Sequence, residues 1–514
     1  MKEKQFDIIV VGAGHAGIEA ALAAARLNQR VLLITSNVSR IGYMSCNPSI
    51  GGLAKGHMVR EIDILGGQMA KVADDTCIQY KRLNSSRGPA VRGTRVQSDK
   101  VKYSRQMIKT IYSTPNLSVK EVEVKSLLLN ESICEGVFLN DGSSITSHRV
   151  VLTTGTFMNG IMHFGLVQRS GGRIGDLPSV GLSDQLKSFG LSVQRLKTGT
   201  PARLIKSSID WSKTVPQFGD QAYFPFSYKT ERFPVLEQVP CFLSRTTELT
   251  HEIIRKNLDK SPMFCGVIEG VGPRYCPSIE DKITRFAERD SHQTFLEPES
   301  LESDLIYLQG ISTSLPEEVQ DQFLRTIPGL ENVKIAKYGY AVEYDYFEPT
   351  QIRHSLETRP ISNLFLAGQI NGTSGYEEAA AQGLLAGINA ARSIESKEPI
   401  ILGRDKAYMG VLVDDLVTKG TREPYRMFTS RAEHRLVLRE DNTLDRLFDV
   451  SDKIGILSKN ELERLSMECS KKAEVLESLK TFKLTPTEAT QNKLRELKTS
   501  VLLKSITLED LMRR

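Results

Sequence analysis

Cys46 and Cys276 each stand in a polar loop rich in Gly and Pro, outside any apolar run, and a thiol so placed is a candidate nucleophile, because Cys is intrinsically reactive and partly ionised near neutral pH. Cys134 and Cys469 read instead as small buried apolar residues. The seven cysteines (46, 77, 134, 241, 265, 276 and 469) form no CxxC and no ligand-like Cys/His spacing. That speaks against structural zinc, predicts no metal site, and argues against a redox-active disulfide. An odd number of scattered thiols fits a reducing cytoplasm.

The second chemistry in the residue pattern is phosphate binding. Gly12-Ala13-Gly14-His15-Ala16-Gly17 is a GxGxxG run between an apolar strand and a helix. Gly12 permits the tight turn, Gly14 lets the backbone approach a pyrophosphate, and Gly17 allows close packing of helix on strand. The helix N-terminus adds free N–H groups and a favourable dipole. His15, inside the loop, reads as packing over a cofactor. The acidic residue normally found about 20 positions on is missing, since the next strand ends in Thr35-Ser36-Asn37. The ribose contact is therefore unassigned.

Charge supplies a third candidate. Lys81, Arg82, Arg87, Arg92, Arg95 and Lys100 form one basic cluster interrupted only by Asp99. Arg431, Arg435 and Arg439 recur every four residues, with Arg422 and Arg426 upstream, which predicts a basic stripe along a helix. Such stripes suit a phosphate backbone; the alternative is a solvated face paired with Glu433 and Glu440.

These residues need elements to hold them. Residues 6–11 predict a buried strand, 17–29 a helix with Ile18, Leu22 and Ala25 on one face, and Val31 to Ile34 a second strand, a βαβ unit implying a parallel sheet covered by helices. A long middle region mixes short strands and turns as far as Phe347. Leu364 to Gly368 then reads as a returning buried strand, and Glu377 to Arg392 as an Ala-rich helix. Two segments, Asp141 to Thr156 and Phe365 to Gly372, resemble the strand-plus-turn element and the closing strand of flavoproteins, and that resemblance implies FAD and not NAD as the tenant of the glycine loop. From Ser458 the chain turns helical, with capping boxes at Ser458/Glu461 and Thr485/Glu488 and an apolar face of Leu462, Leu465, Cys469, Leu476 and Leu479. At 514 residues more than one domain is expected, and the surplus of 67 Lys plus Arg over 62 Asp plus Glu is too small to predict a nucleic-acid partner. The charged N-terminus leads into an apolar run too short for a signal peptide, and no stretch approaches the roughly 18–20 apolar residues of a membrane span. A cytoplasmic protein without membrane attachment is expected.

Four blocks carry a family resemblance: Met44-Ser45-Cys46-Asn47-Pro48-Ser49-Ile50-Gly51-Gly52, Gly270 to Lys282, Gly372-Thr373-Ser374-Gly375-Tyr376-Glu377-Glu378-Ala379, and Glu423 to Glu433. In order and wording they closely resemble the tRNA uridine 5-carboxymethylaminomethyl modification enzymes, the MnmG or GidA family. The resemblance implies an α/β fold: a Rossmann-like FAD-binding domain (1–200 and 346–450), an inserted α/β domain with a nicotinamide-binding segment (201–345), and a C-terminal helical domain (451–514) that stops short of the family's usual length. It implies enzymes that bind FAD, reduce it with NADH, and take a one-carbon unit from methylenetetrahydrofolate. That unit builds an aminomethyl or carboxymethylaminomethyl group at the 5-position of the wobble uridine of certain tRNAs. It further implies a homodimer that joins a tRNA-modification GTPase, MnmE, in a heterotetramer.

Carried over by position, the FAD contacts fall on Gly12, Ala13, Gly14, His15, Ala16, Gly17, Val124, Ser179 and Gln369. The nicotinamide segment falls on Gly272, Pro273, Arg274, Tyr275, Cys276, Pro277, Ser278, Ile279, Glu280, Asp281, Lys282, Ile283, Thr284, Arg285 and Phe286. Arg274 either neutralises a phosphate or reduced flavin or forms a surface salt bridge, and Lys282 and Arg285 read as facing phosphates. Carbon–carbon bond formation at uracil C5 needs an electron-rich carbon, commonly made by adding a nucleophile to the neighbouring ring carbon, which gives Cys276 or Cys46 a role. An extruded base would stack on Tyr43, Tyr275 or Tyr376. The rival readings are a folate- and FAD-dependent tRNA methyltransferase, a non-catalytic FAD-stabilised RNA scaffold, and a metabolic dehydrogenase of the fumarate-reductase type.

Overall fold

Unbroken runs of Val and Ile make strands buried on both faces, and Phe6–Val11, with Ile8, Ile9 and Val10 wholly enclosed, is the inner strand of the sheet that organises the chain. The computed structural model describes residues 5–274 and 277–513. Across this sheet the strands run Leu117–Glu121, Val31–Thr35, Phe6–Val11, Ser144–Leu152 and Leu364–Leu366, each parallel to its neighbour. The last of them returns after the whole middle region and pairs Leu366 with Leu152. All these strands end at one edge, where the connecting turns collect.

The first helix is His15–Arg26, starting earlier than the expected residue 17 because Gly14 is extended (φ −76°, ψ −172°) and serves as its N-cap. Every residue from His15 to Ala25 is buried, Glu19 included, because the helix is wedged between the sheet and the Ala-rich helix Tyr376–Ile394. The two helices lie so close that a Cβ on Gly383 would fall 2.0 Å from the Ala16 carbonyl oxygen.

The middle region builds antiparallel layers. Val193–Thr200 pairs along its length with Tyr340–Phe347, a strand buried at every position, and Ile161–Phe164 pairs on the other side. Beyond it a second antiparallel sheet, Val215–Gln217 through Ile335–Lys337, encloses its own core around Leu204, Ile254, Leu296, Phe323 and Leu330. A small sheet of Ser49–Gly51, Gly93–Ser98 and Cys77–Leu83 anchors the loop that carries Cys46.

The chain divides into two compact units, 1–443 and 444–514. In the second, the Ser458 capping box forms as expected and starts the helix Lys459–Thr481. The next helix starts later than expected. Lys483–Leu484 pairs with Ile506–Thr507 and keeps the chain extended, so the N-cap is Thr487, whose hydroxyl accepts from the Thr490 N–H, and Pro486 stays outside the helix. Of the expected apolar face only Leu465 is buried; Cys469 is half-buried and Leu476 exposed. The buried cluster of this unit forms instead around Leu494, Leu502 and Ile506. Among the described residues no helix is long and apolar enough to cross a membrane.

Candidate active site

The glycine loop separates two kinds of constraint. Gly12 has φ +103°, and a Cβ there would lie 2.5 Å from the Thr153 carbonyl oxygen; one on Gly17 would lie 1.8 Å from that of Gly12. The protein's own packing therefore demands both. Around Gly14 none of the described residues lies within 4 Å of where a Cβ would sit. That free space opens into a cavity of 1020 Å³, lined by Gly12 to Ala16 and also by Val124, Ser179 and Gln369. Gly17 sits one step further into the helix and packs. The His15–Arg26 helix has no side chain bonding at its N-cap and no acid in its own first turn, so its N–H groups and positive end are left for a ligand anion. A cradle that a Cβ would fill, at an uncapped helix start, fits a pyrophosphate-bearing cofactor.

The missing acid has a tertiary answer. Thr35, Ser36 and Asn37 line the cavity, but so do Glu121 and Glu123, from the end of the neighbouring parallel strand. Glu121 accepts the Val38 N–H at 2.7 Å, which ties the two turns together. The acidic Glu121-Val122-Glu123 run was the available signal, but it carries meaning only once Leu117–Glu121 is known to lie beside Val31–Thr35.

Cys46 opens into the same cavity. Its N–H donates to Tyr376 Oη at 2.8 Å, and its Sγ lies 3.2 Å from Tyr307 Oη. The Arg203 guanidinium sits 4.6 Å above the Tyr307 ring and is held by Glu299 at 2.9 Å and by the Ser45 carbonyl at 3.0 Å. Glu299 also takes Lys100 at 2.6 Å; burial pushes its carboxyl up, but these two cations outweigh that and hold it below the usual range. His15 stacks on the same Tyr376 that holds the Cys46 N–H, with ring centres 4.4 Å apart. Burial pushes His15 down to about 4, against the pull of Glu377, so the ring is neutral at pH 7 and packs. Tyr43 lies among three cations, Arg40 and Arg173 at 4.8 Å and Lys100 at 5.3 Å from its ring centre.

Next to Tyr376 in the chain, Glu377 and Glu378 share Lys55, at 3.0 Å and 2.9 Å, all three buried. Glu377 also accepts the Gly51 N–H at 2.7 Å, and Glu378 the Met427 N–H at 3.0 Å. The cluster therefore joins three of the blocks that carry the resemblance.

Residues 272–286 behave differently. Tyr275 and Cys276 lie outside the described residues. Of the remainder Pro273 lines the large cavity. Gly272 stands beside the Lys197 side chain, Arg274 is exposed and Pro277 half-buried. Ser278 caps the helix Ile279–Arg285, which turns Ile279 and Ile283 into the core of the second antiparallel sheet. Glu280 is buried and accepts from Thr313 and Ser314, and Thr284 bonds back to the Glu280 carbonyl. Lys282 donates to the Gly310 carbonyl at 2.6 Å, and Arg285 lies 3.8 Å from Asp281. Both expected phosphate-facing cations thus have protein partners. Phe286 lies under Arg289.

The expected basic helix at 431–439 does not form. Thr429–Arg431 is a single 3-10 turn, and the Val437 and Leu438 N–H groups both return to the His434 carbonyl, closing a turn. Arg431 lies over the Tyr425 ring at 4.1 Å, and Arg439 pairs with Asp441 at 2.8 Å. The acids proposed to pair with that stripe are engaged elsewhere, Glu433 with Arg404 and Glu440 with Thr94. In the earlier cluster Arg95 turns inward to Glu297 and Lys100 to Glu299, so only part of it faces outward.

Comparison with known proteins gives the same picture. The family model described as "Glucose inhibited division protein A" matches residues 7–398. A Bdellovibrio bacteriovorus protein named tRNA uridine 5-carboxymethylaminomethyl modification enzyme MnmG is 68% identical over 100% of this chain and 80% of its own length; one of the same name from Geobacter sulfurreducens is 54% identical over 100% of this chain and 82% of its own. The solved structure of Aquifex aeolicus GidA, form II crystal, superposes with a TM-score of 0.91 at 46% identity, covering 99% of this chain and 81% of that one. With a family match over most of its length and relatives matched along the whole of it, this chain belongs to the GidA, or MnmG, family.

Proposed function

We propose that this protein is a flavin-dependent tRNA-modifying enzyme that builds an aminomethyl or carboxymethylaminomethyl group at C5 of the wobble uridine. The observation that carries the reading is that one cavity holds both the open approach at Gly14 and the thiol of Cys46. Gly12 to Ala16, Val124, Ser179 and Gln369 would hold FAD. Bound there, FAD would supply the two-electron chemistry that a reductive one-carbon transfer needs, with NADH as reductant and methylenetetrahydrofolate as carbon donor. The names of the MnmG relatives support tRNA as substrate. A second copy of the chain and the GTPase MnmE complete the proposed assembly.

The chain's own part is nucleophilic. Cys46 Sγ would bond to uracil C6, leaving C5 electron-rich to take the new carbon; loss of the C5 proton and breaking of the Sγ–C6 bond then restore the ring. Tyr307 Oη, 3.2 Å away, can donate to the sulfur as a thiolate, and Arg203 above the ring strengthens that donor.

Two measurements test this. Purified protein loaded with FAD should show a flavin band that anaerobic NADH bleaches, and tRNA from cells lacking the chain should lose the modified wobble nucleoside by mass spectrometry. Unchanged nucleoside content would reduce the protein to an RNA scaffold. Gly14→Ala should shift stability by no more than about 1 kcal/mol, since the backbone there suits any residue, yet weaken FAD binding about tenfold or more by filling the phosphate approach. FAD titration beside a urea midpoint reads both, and unchanged FAD affinity would refute the cradle.

A further inference from the structure

Apart from the large cavity, Arg60, Arg82 and Arg92 converge with Phe224 on a second cavity of 530 Å³, bordered by Glu440 and Asp441. Both carboxylates are engaged. Glu440 accepts from the Thr94 N–H at 2.7 Å and its hydroxyl at 2.9 Å, and Asp441 takes Arg439 at 2.8 Å. The arginines meet neutral partners: Arg60 donates to the Pro225 carbonyl at 2.8 Å, Arg92 to the Arg87 carbonyl at 2.6 Å, and Arg82 lies 5.7 Å from the Phe224 ring centre. Among the described residues Arg60 Nε has no hydrogen-bond partner though it is buried, and Phe224 is 51% exposed. Among the described residues none of the three guanidiniums forms an ion pair; buried Asp63 acts on Arg60 only through space, and Asp220 takes the Arg82 backbone N–H at 2.6 Å, so the guanidiniums favour an incoming anion. The planar guanidinium matches phosphate oxygens two at a time, and an exposed aromatic face beside cations suits an unstacked base.

We propose that this pocket is a subsite for single-stranded RNA, with one phosphate among the guanidiniums and one base against Phe224. It rests on the reading of tRNA as substrate. The position supports it: Arg82, next to last in the strand Cys77–Leu83, and Arg92, just before the paired strand Gly93–Ser98, lie at the adjoining ends of two strands whose Leu83 and Arg95 line the large cavity. RNA seated here would flank the nucleotide being modified.

The test uses FAD-loaded full-length chain and a fluorescent anticodon stem-loop across a salt series. The double variant Arg82→Gln/Arg92→Gln should bind about tenfold more weakly, with the slope of log affinity against log salt reduced by about 0.7 per lost phosphate contact. Phe224→Ala should weaken binding about tenfold with the slope unchanged. Arg255→Gln, on the distant helix Glu248–Lys256, should match wild type. Retained flavin establishes folding, and if the double variant loses it, Phe224→Ala decides. Equal affinity and slope in the double variant overturn the subsite alone, whereas wild type that binds no RNA overturns the functional reading with it. If the double variant keeps RNA but loses a polyglutamate probe, the pocket belongs to an acidic protein and the proposal falls.

Discussion

Cys46→Ser should lower the rate of tRNA modification about a thousandfold, roughly 4 kcal/mol of barrier, because serine keeps the shape but is a far weaker nucleophile near neutral pH. Flavin content should not change. Cys46 touches the fold through its N–H, which donates to Tyr376, and through one sulfur contact with Tyr307, and serine preserves the first. Tyr307→Phe should cost less, about tenfold, since it removes one hydrogen bond while the ring under Arg203 remains. Single-turnover assays of the two variants on undermodified tRNA separate these effects. Full activity in Cys46→Ser would assign the nucleophile elsewhere, with Cys276 the remaining candidate. An unchanged rate in Tyr307→Phe would make the sulfur contact purely structural.

A second large effect belongs to the wall behind the cavity. Lys55→Met should destabilise the folded chain by about 3–5 kcal/mol, because it strands the carboxylates of Glu377 and Glu378 inside the protein without their shared cation. The pH dependence gives the signature. Burial pushes the Glu377 carboxyl up, but Lys55 with the Gly51 N–H more than offsets this and holds it below its ordinary value of 4.5. A depressed carboxyl contributes stability above its unfolded value and loses it as pH falls through the folded one. Wild type should therefore lose this contribution below about pH 4.5. Without Lys55, burial dominates and Glu377 takes up a proton at higher pH, so the deficit of the variant should be largest at pH 7 and shrink toward pH 4. Urea unfolding followed through the single tryptophan, Trp211, reads this directly. Adding Glu377→Gln and Glu378→Gln to Lys55→Met should recover part of the loss. A Lys55→Met protein as stable as wild type at pH 7 would show that water, not Lys55, compensates these carboxylates.

How far the amino-acid string reaches depends on the range of the interaction involved. The glycine loop, its strand and its helix were legible because strand, turn and helix lie within a few residues, and their spacing alone encodes strand burial and helical periodicity. The returning Leu364–Leu366 strand was legible from its apolar run, and the Ser458 capping box from two residues three apart. The Arg431, Arg435 and Arg439 stripe shows the limit of that logic, since regular spacing is a helix face only if the backbone is helical, and the turn at His434 prevents it.

Distances between remote segments needed the folded chain. Glu121 and Glu123 reach the cavity from a strand that follows a different helix, Cys46 meets Tyr307 across the middle region, and Lys55 finds its carboxylates beyond it. Even Gly14, plain in the motif, is set apart from Gly12 and Gly17 by the space beside it, which none of the described residues occupies. Local spacing established the βαβ start, the glycine turn and the family blocks, because their information is carried by neighbours in the chain. Which cation faces which acid, that Cys46 opens on the cavity and which basic residues turn inward were decided by packing, where burial makes every unpaired charge costly and so selects partners irrespective of sequence distance.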